Sequence, residues 1–586
     1  MRFHNLRAFI EALRQEKELQ IISAPVDPNL ELAEIHRRVI ENEGPALLFT
    51  NVKGSSFPIV TNLFGTSRRV DLAFGPRPEQ LMRQIVGAMN TLLPPTPKAI
   101  WEQKDLIFDM MKVGLKNVSR DSAPILQTLR ADAPLEGIPV LTSWQEDGGP
   151  FVTLPLVYTE HPKTKHHNLG MYRMQVYDAS TTGMHWQIHK GGGFHYHEAE
   201  LANEPLPVTV FLGGPPALIA SAIAPVPENL PELMLASLII GQKLPVVDNP
   251  RGGHRLIAEA EFAISGKVPP HVRRPEGPFG DHFGYYSLVH DFPVFNVDHV
   301  WHRKDAIYPA TIVGKPRQED YYLGEYLQRL LSPAFPMAMP GVKELWAYAE
   351  TGVHPLAAAI VRESYSREAL STAFRIFGEG QLTLTKFLIV TNQALDLSNF
   401  PQLLETVLER FDPQTDLFIF NNTSHDTLDY TGDRLNHGSK ALLLGVGEPK
   451  RSLPAIYEGG NIPGIHSAVP YCRGCLVVSG ASYAEDPELA PRLVRDAGEQ
   501  LAEWPFVILA DDTSIAAGQT AFLWTVFTRF NPAADMYADA QTARHHIGYR
   551  LPIVIDARMK PGYPDELFPR EDIVQLVDSK WKQYFE

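Results

Sequence analysis

Residues 275–286 read Pro275-Glu276-Gly277-Pro278-Phe279-Gly280-Asp281-His282-Phe283-Gly284-Tyr285-Tyr286. Two prolines and three glycines restrict this backbone to a rigid loop carrying Glu276 and Asp281. Carboxylates held close together can have their pKa values driven apart, one ionised and one protonated, which suits general acid work. A pair of solvated turn carboxylates fits the same residues.

N-terminal to this loop lies the densest run of polar groups: Asn168-Leu169-Gly170-Met171-Tyr172-Arg173, then His185-Trp186-Gln187-Ile188-His189-Lys190, then Gly191-Gly192-Gly193 and His195-Tyr196-His197. The i, i+4 spacing of His185 and His189 admits a zinc reading. Against it, the three glycines are expected to end any helix carrying both histidines, and no H-E-x-x-H motif accompanies them. The Lys190–Gly193 turn could instead offer backbone N–H groups to a phosphate.

Around these motifs the chain punctuates as α/β. Helical spacing is expected near Asn5–Glu16 and Leu30–Glu41, and strands at Ala46–Phe49, Ile59–Asn62, Met171–Tyr177 and Val208–Leu212. Further helices are expected at Pro231–Gly241 and, as a connector, Tyr321–Leu331. In the second half, Phe387–Pro413 and Phe506–Pro532 align without a gap at an offset of 506 − 387 = 119, with eight of 27 positions identical. Each copy reads as a buried strand, a loop and a helix, so duplication of an α/β unit is expected rather than chance similarity.

The chain has 586 residues and a formal charge of 53 − 68 = −15. That length implies several domains, and 44% apolar residues can fill their cores. The acidic balance and lack of a basic run argue against a nucleic-acid partner. No apolar stretch approaches the roughly 18–20 residues of a membrane helix, and the N-terminus lacks a signal-peptide core; a cytoplasmic protein is expected. The two cysteines, Cys472 and Cys475, exclude a disulfide framework and are read as ordinary reduced thiols.

Taken together, Leu6-Arg7-Ala8-Phe9-Ile10, Pro25-Val26-Asp27-Pro28, Asn168–Arg173, His189-Lys190-Gly191-Gly192, Ala260-Glu261, Glu276–Tyr286, Phe292-Pro293-Val294-Phe295, Asp305–Tyr308 and Thr385-Lys386-Phe387 resemble the UbiD-like decarboxylases that use prenylated FMN. The resemblance spans roughly residues 1–445. It implies an N-terminal α/β region (1–115), a flavin-binding split-barrel-like domain (116–318), a connector helix (319–335) and a C-terminal α/β oligomerisation domain (336–455). Residues 456–586 are expected to be a second copy of that last unit.

For the site, the resemblance implies that Asn168, His189 and Glu261 hold Mn²⁺ or Mg²⁺ against the cofactor phosphate, with K⁺ nearby. Met171, Tyr172, Arg173, Gln187, Lys190 and Lys386 would also contact the cofactor. Arg173, Glu276 and Asp281 fall on the catalytic charge network, with His282 able to share the proton transfer. The implied reaction is reversible decarboxylation of an aromatic or α,β-unsaturated acid through a covalent adduct with prenylated FMN. Implied partners are the acid, CO₂ and a flavin prenyltransferase that supplies the cofactor; a homo-oligomer, dimer or hexamer, is expected. The alternative is a non-catalytic flavin-binding subunit of a larger carboxylase complex.

Overall fold

The computed structural model describes residues 3–92, 96–187, 191–224 and 231–585. The chain forms two compact units, Met1–Leu330 with Asp565–Glu586, and Leu331–Pro564.

In the first unit, helix Leu6–Gln15 starts where the Asn5 side chain accepts from the Ala8 amide, and buries Leu6, Phe9, Ile10 and Leu13. Strands Leu19–Ile22, Ala46–Phe49, Ile59–Thr61 and Tyr308–Pro309 form a four-stranded sheet in that order. The central sheet runs Thr181–Gly183, His290–His302, Phe262–Val268, Leu206–Leu212, Leu156–Glu160, His167–Gly170, with Arg273–Glu276 and Thr128–Arg130 also paired to His290–His302. All its pairings are antiparallel, and among the described residues it stays open, without closing the expected split barrel. The register slips at Ser265/Gly266, where a Cβ on Gly266 would lie 2.0 Å from the Asn296 carbonyl oxygen; only glycine permits that approach.

Two local expectations change. Of Met171–Tyr177 only Met174–Gln175 is strand; the preceding residues leave the sheet and carry Arg173. The triple glycine begins a helix, Gly191–Leu201, instead of ending one. Its first turn packs so closely that a Cβ on Gly191 would meet Asn168 Oδ1 at 2.1 Å.

The second unit contains two five-stranded sheets with one topology. In the first, Val342–Ala347 pairs antiparallel with Leu356–Val361, which runs parallel to Phe387–Thr391 and then His437–Gly445, with Leu417–Ser424 antiparallel at the edge. In the second, Ile465–Cys472, Cys475–Gly480, Phe506–Ala510, Ile553–Asp556 and Met536–Tyr537 repeat that sequence of pairings. Helices Phe400–Arg410 and Gln519–Arg529 keep the same offset.

The two copies share one core. Phe387 packs on Phe530 at 6.0 Å between ring centroids, and Phe411 on Phe506 at 6.2 Å. Since 387 + 119 = 506 and 411 + 119 = 530, the contacts are reciprocal, the signature of a two-fold interface, here built within one chain. Cys472 and Cys475 are free thiols opposite one another in a hairpin.

The expected second copy, 456–586, differs at its end. Residues 565–586 belong to the first unit, where helix Glu571–Phe585 buries Ile573, Val577 and Tyr584 in the core. Among the described residues no helix is long and apolar enough to cross a membrane.

Candidate active site

Strand Arg273–Glu276 delivers Glu276 to a position 1% exposed, and the loop after it delivers Asp281, 7% exposed. Arg173 bridges them. Its Nε donates to Glu276 Oε1 at 3.0 Å, its Nη1 pairs with Asp281 Oδ2, and its Nη2 donates to Ser287 Oγ at 2.9 Å. Its guanidinium carbon stands 4.6 Å from the Phe279 ring centroid. His185 Nδ1 meets the second Glu276 oxygen at 2.7 Å, and His282 Nδ1 meets Asp281 Oδ1 at 2.6 Å.

The charges follow from this geometry. Burial alone would raise both carboxyls, but Arg173 and His185 hold Glu276 down at about 2, and Arg173 with His282 holds Asp281 well below the usual carboxylate range. Two further acids behave oppositely. Asp147 is pushed up to about 6 by burial, although it accepts from the amides of Ser143, Trp144 and Gly280 at 2.9, 2.9 and 2.8 Å. Asp320, on helix Glu319–Leu331, is raised by burial; its Oδ1 is buried without a partner among the described residues, and it feels the charges of His282 and Asp281. Carboxyls lowered by Arg173 thus stand near carboxyls raised by burial, a separation of the kind acid–base chemistry uses.

A second cluster surrounds Asn168. Its Nδ2 donates to the Tyr172 hydroxyl at 3.3 Å, and the Gly192 amide donates to the same hydroxyl at 3.2 Å. Glu232, at the start of helix Glu232–Ile240, accepts from the Leu169 amide at 3.0 Å, and burial pushes its carboxyl up. Glu261 is placed differently. Both its oxygens accept from Arg7 at 3.1 Å, and one also accepts from the Ile307 amide at 3.0 Å. Its charge is compensated by Arg7, whereas Glu232 accepts from the amide of the residue that follows Asn168.

His189 and Lys190 lie outside the described residues. Met171 and Gln187 are partly buried and Tyr172 is buried in this region. Lys386 belongs to the second unit, where its Nζ pairs with Asp429 at 2.7 Å. Among the described residues there is no group of three His, Cys, Asp or Glu that could hold a metal. Two features suit a large bound cofactor. His185 Nε2 and Trp186 Nε1 are buried without partners among the described residues, and Gly191 and Gly192 form a cradle that a Cβ would fill.

The sequence reading missed Glu232, Asp147, Asp320 and Ser287, and assigned His185 no part in the charge network. The Pro231-Glu232 start of an apolar helix was the available signal for Glu232.

Three family profiles match the chain: the N-terminal domain of 3-octaprenyl-4-hydroxybenzoate carboxy-lyase over residues 10–89, its Rift-related domain over 116–316 and its C-terminal domain over 321–445. A Chlamydia pneumoniae protein, named as one of the subunits of a 4-hydroxybenzoate decarboxylase, is 50% identical over 99% of this chain and 98% of its own length. Among solved structures, the closed form of Sedimentibacter hydroxybenzoicus vanillic acid decarboxylase shares the fold with a TM-score of 0.69 and 24% identity, covering 79% of this chain and 97% of that one. The UbiD-class enzyme HmfF from Pelotomaculum thermopropionicum, in complex with FMN, gives 0.63 and 24%, covering 79% and 98%.

Proposed function

Because this chain belongs to the UbiD family of carboxy-lyases, we propose that it catalyses reversible, non-oxidative decarboxylation of an aromatic or α,β-unsaturated carboxylic acid with prenylated FMN and Mn²⁺ or Mg²⁺ bound. The observation that carries this reading is the buried Arg173 bridging Glu276 and Asp281.

Losing CO₂ from an sp² carbon leaves electrons that side chains cannot delocalise, and prenylated FMN, when bound, supplies that electron sink. Asn168 and Glu232 would hold the metal, an oxygen-rich set suited to a hard divalent ion. His189 and Lys190 complete the set we assign to metal and phosphate, and K⁺ would sit nearby.

The chain's own residues do the rest. Arg173 attracts the substrate carboxylate and keeps Glu276 and Asp281 ionised. His185 and Ser287 fix the far sides of that network. His282, whose Nδ1 lies 2.6 Å from the ionised Asp281, returns the proton to the carbon that lost CO₂. The carboxyl-binding cation lies against the Phe279 face, so water is excluded on that side. An intact network of this kind favours a catalytic chain over a non-catalytic flavin-binding subunit.

The test is to incubate the chain, produced alongside a flavin prenyltransferase, with a panel of aromatic and unsaturated acids in D₂O. Release of CO₂ with one deuterium at the former carboxyl carbon is expected. An absence of both across the panel, with the flavin bound, contradicts the proposal.

A further inference from the structure

The last residues of the chain reach the loop that carries Asp281. Tyr286 donates its amide to the Asp565 carbonyl at 3.0 Å, and the Leu567 amide donates to the Gly284 carbonyl at 3.0 Å, with Tyr285 and Glu566 bridged antiparallel between them. Residues 565–567 are therefore a short added strand on the catalytic loop. Gly284–Tyr286 is also the part of that loop that shapes its tip. The Asp281 amide donates to the Tyr285 carbonyl at 3.1 Å, and the Gly284 amide to the Asp281 carbonyl at 2.9 Å.

Side chains reinforce the grip. Leu567 is 2% exposed and packs with Trp144 and Tyr286. Trp144 is held by Arg37 stacked 4.1 Å from its ring centroid and by its indole N–H donating to the Val313 carbonyl at 2.9 Å. Glu566 pairs with Lys315, whose ammonium also lies 4.3 Å from the Phe568 ring centroid. Beyond this segment, helix Glu571–Phe585 is pinned to helix Glu31–Glu41: Arg38 pairs with Asp578 at 2.5 Å, and Glu31 accepts from Lys580 and Tyr584 at 2.9 and 2.5 Å.

We propose that residues 565–568 are a positioning strap for the proton-transfer loop, anchored by the C-terminal helix. The strap lies beyond residue 445, where the family profiles stop matching. It acts through the backbone that sets where Asp281 and His282 stand. Its catalytic meaning rests on the proposed decarboxylation, but its structural claim does not.

The experiment compares the full chain with Leu567→Pro, which removes the amide donated to Gly284, with Leu567→Ala, which opens the contact to Trp144, and with Leu567→Met as the conservative variant. Amide deuterium exchange is read at Asp281 and Gly284, whose bonds are internal to the loop, with Leu388–Val390 of the second unit as the folded control. Kinetics are read on whichever acid the panel identifies. The expected result is at least about tenfold faster exchange at Asp281 and Gly284 in the first two variants, with the control unchanged. The turnover number should fall at least about tenfold with KM within about twofold, and Leu567→Met should restore both. Unchanged exchange at Asp281 and Gly284 overturns the strap, and faster exchange with an unchanged turnover number overturns its positioning role. Absence of CO₂ release by the full chain defeats the decarboxylase reading instead, while exchange still decides the strap.

Discussion

Arg173 Nε lies 3.0 Å from Glu276 Oε1, and the glutamate's other oxygen lies 2.7 Å from His185 Nδ1. Glu276 is thus gripped from both sides in a setting that would otherwise protonate it. Glu276→Gln keeps the shape and removes the charge. It is expected to lower turnover by about 10²-fold or more while flavin binding is retained, measured by initial rates and by the flavin spectrum. A variant with undiminished turnover would remove Glu276 from the mechanism.

The two acids assigned to metal by different routes give opposite outcomes. Glu232→Gln should lose bound Mn²⁺ and leave the N-terminal helix in place. Glu261→Gln should retain the metal, but it removes the charge partner of the partly exposed Arg7, at a cost on the order of 1 kcal/mol. Metal content and the thermal midpoint of each variant separate the two roles.

His36 supplies a pH dependence away from the site. It is fully buried on helix Glu31–Glu41 with neither ring nitrogen bonded among the described residues, and burial, with Arg37 and Arg69 nearby, lowers its pKa to about 3. The unfolded chain binds this proton below about 6.5 and the folded chain does not, so stability is full above 6.5 and declines as pH falls toward 3. At pH 5 the loss from this one group is roughly 2 kcal/mol. His36→Leu should flatten that part of the stability profile and raise the midpoint at pH 5 more than at pH 7.

The reciprocal aromatic contacts in the second unit predict matched losses. Phe411→Ala and Phe530→Ala remove equivalent rings from the shared core and should each cost about 3–5 kcal/mol, read by chemical denaturation of the full chain.

Local patterns made much of this legible. The helix Leu6–Gln15, the strands Ala46–Phe49 and Phe387–Thr391 and the β-α unit repeated at an offset of 119 residues are all written in short local runs, where periodicity and turn residues act. Arg173, Glu276 and Asp281 stand in dense, unusual stretches, and the fold brings them together. What escaped was set by distant packing. Glu232 reaches Leu169 only because an apolar helix docks there, and Glu261, in the Ala260-Glu261 pair, is claimed by Arg7 from the N-terminus. The triple glycine opens a helix because its missing side chains let that helix start against Asn168 and Trp186, a demand invisible in the run itself. The return of residues 565–586 to the first unit has no local signal, since helix Glu571–Phe585 would look the same wherever it docked.

Carboxyl exchange tests the central claim most directly, because it needs no knowledge of the physiological direction. The chain loaded with cofactor is incubated with ¹³C-bicarbonate and the panel of acids, and label in the carboxyl carbon is measured by mass spectrometry. Incorporation is predicted into one class of aromatic or unsaturated acid, reduced about 10²-fold or more in Glu276→Gln and Arg173→Met. No incorporation into any acid, or incorporation at undiminished rate in both variants, would contradict a decarboxylase built on the Arg173 network.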